Sequence, residues 1–436
     1  MYQRFIHITF FLLCLPCMHI SAQSAWTLDS CINYAEKHNL AIRLRQLSVD
    51  SRRLSLNGAK EQFIPSLSAG VGQLWSFGRN ISPQDNTYQN FTTGNSTLSV
   101  SAGMTLFDGF RLVNQVIAAQ YEMKAALDDL NAERIEVRQL ILSAYMQILY
   151  MREMLLMNSE QAKLSKEQLD YTQARYHLGA ASETQVLESQ STLAQDELAA
   201  VQAENDLQLA RLAMAQLLNV CDVETFDVAK MEDSVGVVLL PSPEVIYEQV
   251  ETSHPSITAE ENRLLAYERK VKAAKGGYSP SLSIAAGYGN NYYTTNGSTT
   301  SFGEQWDTNG NAFISLSLTI PLLNHIQTAN NVRSAINARD AQQVEVENKK
   351  QDVRKKIQQA YYNAVAAQKT FESSLIAENA ARRAYEGTVS KYRNGKATTF
   401  ELDKAKLSLS QSASRRIQAK YEYIFCIRLL DLYYGL

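Results

Sequence analysis

The chain has 436 residues, of which 45% are hydrophobic and 20% are charged, and 42 basic against 45 acidic side chains give a net charge of −3. This composition excludes a disordered tail and argues against a nucleic-acid-binding protein, which would carry a marked excess of basic side chains. The mean hydropathy of −0.25 excludes a polytopic helical membrane protein.

Residues 1–22 have the order of a secretory signal peptide. Arg4 precedes an apolar run over residues 5–20, and small residues follow up to Ala22. An uncleaved membrane anchor is the alternative, but the run is short for a membrane span and Pro16 interrupts it. We therefore expect cleavage after Ala22 and export of the mature chain.

The titratable residues form no pattern that indicates catalysis or metal binding. Without the leader, the cysteines are Cys31, Cys221 and Cys426, an odd number at distant positions, which fits buried small side chains better than disulfides or a zinc site. The chain contains no zinc-protease, serine-hydrolase, P-loop or complete dinucleotide-binding motif. We therefore predict a protein that is not an enzyme and that uses no cofactor and no metal ion.

After a helical start, two segments of the first half have a period of two. Over about 66–77 and 97–107, apolar residues such as Leu67 and Val71 alternate with serine, threonine and glycine. This pattern predicts strands with one apolar face and one small, polar face. Aromatic residues near the segment ends favour a membrane barrel wall over a soluble sheet. The polar stretch 78–95 between them is expected to be an external loop.

A long helical hairpin is predicted over about 111–219. The stretch from 84 to 240 lacks proline, and Gly179 is the only glycine between 111 and 220, so the hairpin folds there. Apolar residues recur every seven positions, which favours coiled-coil-like packing of long helices over a thick bundle. The members of these series are Ile135, Leu142, Leu149 and Leu156 on one arm, and Val186, Leu193, Ala200, Leu207 and Met214 on the other.

The chain is an internal duplication. The Tyr-x-x-Gly sequence at 176–179 recurs at 392–395, an offset of 216. The two halves therefore predict two structural repeats, 23–220 and 244–436, joined by a connecting segment at 221–243.

The second repeat carries the same elements as the first. Strands are predicted over about 281–289 and 313–321, with a polar loop at 290–311, and a hairpin over about 324–434 folds at Gly395. Four strands cannot close a barrel, because about eight are the usual minimum, and an open edge is not tolerated in lipid. We therefore expect the chain to assemble with copies of itself into a closed ring.

The starts and turns of the repeats carry a family resemblance. The sequence LDSCINYA at 28–35 with Asn39, and the turn at 176–179 with the downstream Leu193 and Gln195, resemble the recurring pattern of the TolC-like outer-membrane efflux proteins. The duplicated layout is similar to theirs over essentially the whole mature chain. The resemblance implies a mainly α fold with a β-barrel part, in which a homotrimer forms a twelve-stranded outer-membrane barrel that continues as a periplasmic α-helical barrel.

The resemblance also implies function and partners. It predicts a channel-tunnel subunit that exports small molecules or polypeptides, in contact with outer-membrane lipid, a periplasmic membrane-fusion adaptor and an inner-membrane pump. The periplasmic tip turns would contain Tyr176, Gly179, Tyr392 and Gly395. The candidate gate or constriction residues are Gln185, Glu188, Glu401 and Lys404.

Individual tip residues match the family pattern to different degrees. Tyr392 matches its gating tyrosine, and Gln185 and Glu401 stand where the family often has aspartate, so only Glu401 could supply an acidic ring. Ala397 stands where a gating arginine is expected. The ordinary alternatives are an exposed helix pair between Glu401 and Lys404, and tyrosines that brace helix turns.

Two other classes of protein fit the sequence less well. A structural coiled-coil protein would explain the hairpins but not four alternating segments at duplicated positions. An outer-membrane enzyme or receptor would need a catalytic constellation or a closed single-chain barrel. We therefore predict transport by gating, in which the hairpins switch between two packings and the partner pump supplies the energy.

Overall fold

The structure is a computed structural model, and it describes residues 25–81, 86–90, 92–221, 226–231, 240–295, 301–322 and 325–434. The predicted signal peptide, 1–22, lies outside the described residues, as does part of the predicted connecting segment. The helices are α1 Leu28–His38, α2 Leu40–Glu61, α3 Arg111–His177, α4 Glu183–Leu218, α5 Pro243–Val250, α6 Pro255–Lys275, α7 Phe302–Thr308, α8 His325–Arg393 and α9 Thr399–Tyr434. The strands are β1 Ser66–Ser76, β2 Arg79–Ile81, β3 Tyr88–Asn90, β4 Thr93–Phe107, β5 Ser281–Thr295 and β6 Asn311–Thr319.

The chain divides into two compact units, and each unit contains parts of both repeats. The hairpin unit consists of Met1–Asn39, Leu140–Val238 and Ala367–Phe425. The sheet unit consists of Leu40–Gln139, Leu239–Ala366 and Cys426–Leu436. The long helix α3 begins in the sheet unit and ends in the hairpin unit; at 67 residues it is about 100 Å long.

The sheet unit contains a four-stranded antiparallel sheet in the order β1-β4-β5-β6. The central pair β4 and β5 joins the two repeats, with Val100 opposite Tyr288 on the predicted apolar face. The edge strands leave this face exposed: Val71 on β1 and Ile314 on β6 are each 81% exposed. A sheet of this kind leaves both an apolar face and two strand edges unsatisfied in a single chain.

The central strands β4 and β5 are longer than predicted, and the loop prediction was wrong in part. β4 begins at Thr93 and β5 continues to Thr295, because the polar residues 290–295 pair with 93–98, and backbone pairing requires no apolar side chain. The same predicted loop also contains α7. Gln305 of α7 binds the backbone of Tyr293 on both sides, since its Oε1 accepts from the N–H and its Nε2 donates to the carbonyl, each at 2.9 Å.

The sevenfold apolar series of α3 holds for three of its members. Ile135, Leu142 and Leu149 are buried, whereas Leu156, predicted to belong to the same stripe, is exposed. An α-helix drifts about 20° per heptad relative to a strict sevenfold repeat, so the buried face moves off the series. Further along α3, Leu169 is the buried apolar residue.

The N-terminal segment and the connection between the repeats pair with each other in the hairpin unit. Trp26 forms a parallel bridge with Val228, and the Tyr145 hydroxyl of α3 donates to the carbonyl of Ala229 at 2.7 Å. Arg211 of α4 lies 3.2 Å from the carboxylate of Asp227. The connection therefore binds the helices on which it lies and is more than a linker.

The three cysteines that the structure describes are free, and one prediction about them was wrong. Cys31 and Cys426 are buried, and burial raises the pKa of the Cys31 thiol to about 12. Cys221 was also expected to be buried but is exposed, because it follows the left-handed Asn219 that ends α4.

By length and composition alone, one described helix, α3, contains a stretch apolar enough to cross a membrane.

Candidate functional site

The helix α3 ends in a turn that only glycine adopts without strain. Gly179 has a φ of 71°. The Ala180 N–H donates to the carbonyl of Arg175 at 2.8 Å, and the Gly179 N–H donates to the carbonyl of Tyr176 at 2.9 Å. This pair of bonds is a Schellman motif, which satisfies the last carbonyls of the helix. The Tyr-x-x-Gly spacing therefore follows from the Schellman motif, because the carbonyl of Tyr176 accepts from the N–H of the left-handed Gly179, three residues later.

The helix α8 ends in the same way. Gly395 also has a φ of 71°, its N–H donates to the carbonyl of Tyr392 at 3.0 Å, and the Lys396 N–H donates to that of Lys391 at 2.8 Å. A Cβ built at either turn glycine would meet nothing within 4 Å. Backbone conformation, and not crowding, therefore explains glycine at both turns.

A reciprocal capping box begins the return helix of each hairpin, a feature that the sequence analysis missed. The Ser182 N–H donates to Gln185 Oε1 at 3.1 Å, and the Gln185 N–H donates to Ser182 Oγ at 3.3 Å. At the start of α9, the Thr398 N–H donates to Glu401 Oε2 at 2.7 Å, and the Glu401 N–H donates to Thr398 Oγ1 at 3.2 Å. Two of the four candidate gate or constriction residues, Gln185 and Glu401, therefore cap helices.

The four candidate gate residues fall into two pairs. Gln185 and Glu401 belong to the capping boxes, whereas Glu188 and Lys404 lie further along the return helices. The backbone and hydroxyl hydrogen bonds from Thr398 lower the pKa of Glu401, which is exposed and therefore ionised at neutral pH. Gln185 occupies the equivalent place in the first hairpin without a charge. Glu188 and Lys404 are also exposed. The structure thus presents Glu401 as the one charged member of the two capping boxes.

The two turn tyrosines occupy different environments. Tyr392 is 5% exposed, and its ring centroid lies 6.0 Å from that of Tyr171 on α3. The Arg175 guanidinium lies 5.9 Å from both of these rings, which is within the range of a cation–π interaction. Tyr176 is 43% exposed and lies beside His177. Tyr392 and Arg175 therefore join the end of one hairpin to the end of the other.

A buried cation, also missed from the sequence, joins the two hairpins again. Lys406 of α9 has a side chain only 10% exposed, and its Nζ donates to Asp196 Oδ2 of α4 at 2.7 Å. It also donates to Ser165 Oγ of α3, whose hydroxyl in turn contacts Asp196. One ammonium group therefore connects three helices. The available signal was that Lys406 follows the buried Leu402 by four positions, on the face where an apolar residue is expected.

A polar cavity of about 20 Å³ adjoins Lys406, and Tyr385 and Asp403 contribute to its lining. Burial raises the pKa of Asp403; Lys406 opposes this shift, while the charges of Glu188 and Asp196 add to it. Burial also raises the pKa of Tyr385. The predicted gate residue Glu188 is therefore close enough to act on a half-buried carboxyl group of the facing hairpin.

A second polar contact joins α9 to α3 and α8. Arg416 donates to Glu153 Oε1 of α3 at 3.0 Å and also pairs with the buried Glu378 of α8. Burial would raise the pKa of Glu153, but a hydrogen bond from Tyr421 and the charges of Lys420 and Arg416 lower it overall. A cation at a core position is thus stabilised by two carboxylates.

These contacts link the helices of the two hairpins, and Glu401 keeps an exposed carboxylate at one turn. Among the residues that the structure describes, no group of three or more His, Cys, Asp or Glu side chains is placed to hold a metal ion. The arrangement can hold two hairpins in one packing, and it can place Glu401 carboxylates at the hairpin ends.

Comparison with known protein families gives one match that covers most of the chain. The family described as outer membrane efflux protein matches residues 31–220 and 246–425, one segment in each repeat. The outer membrane efflux protein BepC of Brucella suis biovar 1 (strain 1330) is 22% identical over 399 residues, which cover 91% of this chain and 83% of BepC.

Solved structures share the fold. The Campylobacter jejuni CmeC outer membrane channel is 16% identical with a TM-score of 0.78, over 94% of this chain and 85% of CmeC. The outer membrane protein VceC from Vibrio cholerae is 16% identical with a TM-score of 0.77, over 93% of this chain and 96% of VceC. At such identities the similarity establishes the fold and leaves the roles of individual residues to be argued from this chain.

Proposed function

Because this chain belongs to the outer membrane efflux protein family, we propose that three copies form one continuous duct, with the sheets in the outer membrane and the hairpins in the periplasm. Location in the outer membrane and a role in efflux follow from family membership. The number of copies, the closure of the barrel, the gate residues and the partners are the finer parts of the proposal.

The observation that carries the proposal is the unfinished sheet. β1 and β6 are its edges, and both present unpaired backbone groups on their outer sides. In lipid each such group costs several kcal/mol, so edges must be paired. Pairing β6 of one copy with β1 of the next satisfies every edge when the ring closes. Three copies supply twelve strands, which exceeds the minimum of about eight for a barrel.

The exposed face of the sheet supports placement in a membrane. Val71 and Ile314 project from opposite edge strands without cover, and Leu67 and Leu316 are exposed in the same way. The other face carries serine, threonine and glycine, as in the hydrogen bond between the hydroxyls of Ser68 and Ser101. A barrel with this alternation has an apolar outside and a polar, water-filled inside.

The hairpin unit supplies the gate in this proposal. Passage requires the return helices to move relative to their partners, and the contacts of Lys406 and Tyr392 oppose such movement. Three copies of Glu401 would place three carboxylates around one axis, where they would attract cations. The chain itself performs no catalytic step in this account, and a membrane-fusion adaptor and an inner-membrane pump supply cargo and energy.

The subunit count is tested by sedimentation equilibrium of the detergent-extracted chain, with detergent density matched by the solvent. A mass of three copies is the expected result. A single chain at every detergent concentration that retains its helical circular dichroism would contradict a closed ring and would favour the structural coiled-coil alternative.

A further inference from the structure

Phe110, between the end of β4 and the start of α3, has an unusual backbone conformation. Its φ is 62°, in the left-handed region that bulky residues rarely adopt because it is strained. The ring is nevertheless 63% exposed, so burial within the described chain does not offset the strain. A strained residue that presents an aromatic ring outward suggests a partner for that ring.

The neighbouring residues hold Phe110 in place. The buried carboxylate of Asp108 accepts from the Leu112 N–H at 3.1 Å and from Nε of Arg111 at 3.2 Å. Gly109 packs so closely on the backbone of Gly276 that a Cβ at Gly109 would lie 2.6 Å from that carbonyl oxygen. The turn is therefore fixed from both sides, which is the condition under which local strain persists.

A β-bulge directs the preceding aromatic residue to the apolar face of the sheet. Met104 lies opposite Ile284, whereas Phe107 lies opposite Leu282, so Leu106 is an extra residue in β4. Ile284 and Leu282 are two positions apart on β5 and share the apolar face. The bulge therefore places Phe107 on that face at the end of the strand.

Phe110 extends this face beyond the sheet. The rings of Phe107 and Phe110 are edge to face, with centroids 5.5 Å apart, and both rings are exposed. The two rings form an aromatic foot, Phe107 and Phe110, at the helix-side end of the apolar face. If the face is in lipid, the foot lies at the level where acyl chains meet head groups.

A groove of about 430 Å³ is lined by two cations, and one of them, Arg111, directly follows Phe110 of the aromatic foot in the chain. Arg111 of α3 and Lys270 of α6 line it together with Gln115, and Thr328 and Asn331 of α8 form its far side. Asp108 uses one guanidinium N–H of Arg111, and a guanidinium has five. Donors therefore remain on Arg111 for a phosphate, which the planar guanidinium binds well. Lys270 Nζ pairs with Glu122 Oε1 at 2.5 Å, and an ammonium group has three N–H donors, so this pair does not use them all.

We propose that the aromatic foot and the groove together bind one glycerophospholipid, with its acyl chains on Phe107 and Phe110 and its phosphate on Arg111 and Lys270. The rings continue the face that meets lipid, and the cations complement the phosphate. A free phosphate would use the groove but has no need of a strained, exposed ring. This site rests on the proposed function, because it requires the sheet to be in the membrane.

Photocrosslinking locates the lipid contact. The full-length protein is reconstituted in vesicles of phosphatidylethanolamine and phosphatidylglycerol, with p-benzoylphenylalanine at position 110, at Val71 on the apolar face, or at Leu178 in the α3 turn. Lipid adducts at 71 and 110 but not at 178 are expected. An adduct at 71 without one at 110 overturns the site and leaves the proposed function standing. No adduct at 71 overturns the proposed function itself.

Native mass spectrometry then tests the groove. The phosphatidylglycerol retained by the protein should fall on the order of tenfold in Phe110→Gly and in the double variant Arg111→Gln with Lys270→Gln. Glycine keeps the left-handed backbone, so Phe110→Gly removes the ring without misfolding the turn. Lys272→Gln, an exposed lysine of α6 outside the groove, is the matched control and should retain lipid.

The same assay separates a lipid from free phosphate. Unchanged lipid retention in the two test variants, or an equal loss in Lys272→Gln, overturns the site. Displacement of the lipid by inorganic phosphate at equal concentration overturns the assignment to a lipid, since a free anion would then suffice. Retention of lipid against inorganic phosphate supports the role of the rings.

Discussion

Lys406 and Asp196 form a nearly buried ion pair, 2.7 Å from Nζ to Oδ2, between the return helices of the two hairpins. The pair joins α9 to α4, and Ser165 adds α3 to it. A lone buried charge is costly, so each partner depends on the other. The contact therefore provides one specific polar tie between the two repeats, beside that of Arg416 with Glu153.

Lys406→Met should destabilise the hairpin unit by about 2–3 kcal/mol, because it leaves the carboxylate of Asp196 without its cation. The double variant Lys406→Met with Asp196→Asn should recover much of this loss. Lys404→Met, two positions away and exposed, is the control and should have little effect. Hydrogen exchange along α9 provides the measurement. Equal protection in the Lys406 and Lys404 variants would contradict the tie.

The Glu401 side chain caps α9 and also carries a negative charge, and substitutions can remove one of these roles without the other. Glu401→Gln should keep the capping box, since glutamine serves at the equivalent Gln185. It should nevertheless reduce the block of conductance by divalent cations, because the carboxylates are gone. Glu401→Ala should also fray the start of α9, because it removes the carboxylate half of the capping box.

The converse variant is Gln185→Glu, which adds a carboxylate to the first hairpin and should strengthen the divalent-cation block. Circular dichroism of each variant shows whether the helix is kept. A block that is unchanged in Glu401→Gln would leave Glu401 as a capping residue alone.

The turn glycines should not tolerate a side chain. Gly395→Ala should cost about 1–2 kcal/mol, because alanine is strained at a φ of 71°. Gly387→Ala is a matched control within α8, since a Cβ there also meets nothing within 4 Å. It should stabilise the helix by about 1 kcal/mol. Thermal unfolding in detergent compares the two, and stabilisation by both substitutions would contradict the left-handed turn.

His254 should make the stability of the sheet unit depend on pH. Burial, with smaller contributions from Lys356 and Lys349, lowers its pKa from 6.5 to about 4. The unfolded chain therefore binds a proton that the folded chain does not, and stability falls as the pH drops from about 6.5 to about 4. The total loss is about 3 kcal/mol.

His254→Asn should remove this dependence. His254 Nδ1 accepts the Ser256 N–H at 3.2 Å as the cap of α6, and asparagine caps equally well without titrating in this range. Urea unfolding between pH 4 and pH 7 gives the comparison. Parallel curves for the native chain and the variant would show that His254 is not the group responsible.

The sequence predicted what depends on local pattern. A period of two identified the strands that contain Val71 and Ile314, and glycine in a helix-favouring stretch identified the turns at Gly179 and Gly395. The mainly α fold with a β-barrel part is confirmed by the fold that the solved outer membrane channels share. These features follow from backbone conformation, which neighbouring residues largely determine.

Contacts between distant segments could not be predicted in this way. Lys406 meets Asp196 at a separation of 210 residues, and no spacing in the sequence indicates that pairing. The roles of Gln185 and Glu401 as capping residues were, by contrast, readable from Ser-x-x-Gln and Thr-x-x-Glu. Cys221 was misjudged because residue type alone does not show where a helix ends.

The most direct test of a trimeric duct is single-channel recording in planar bilayers, with trimer and monomer fractions of the purified chain separated by size. We expect discrete conductance events from the trimer fraction alone, because only a closed ring of β1 and β6 edges encloses water. Absence of events from a folded trimer, or equal events from monomers, would contradict a trimeric duct.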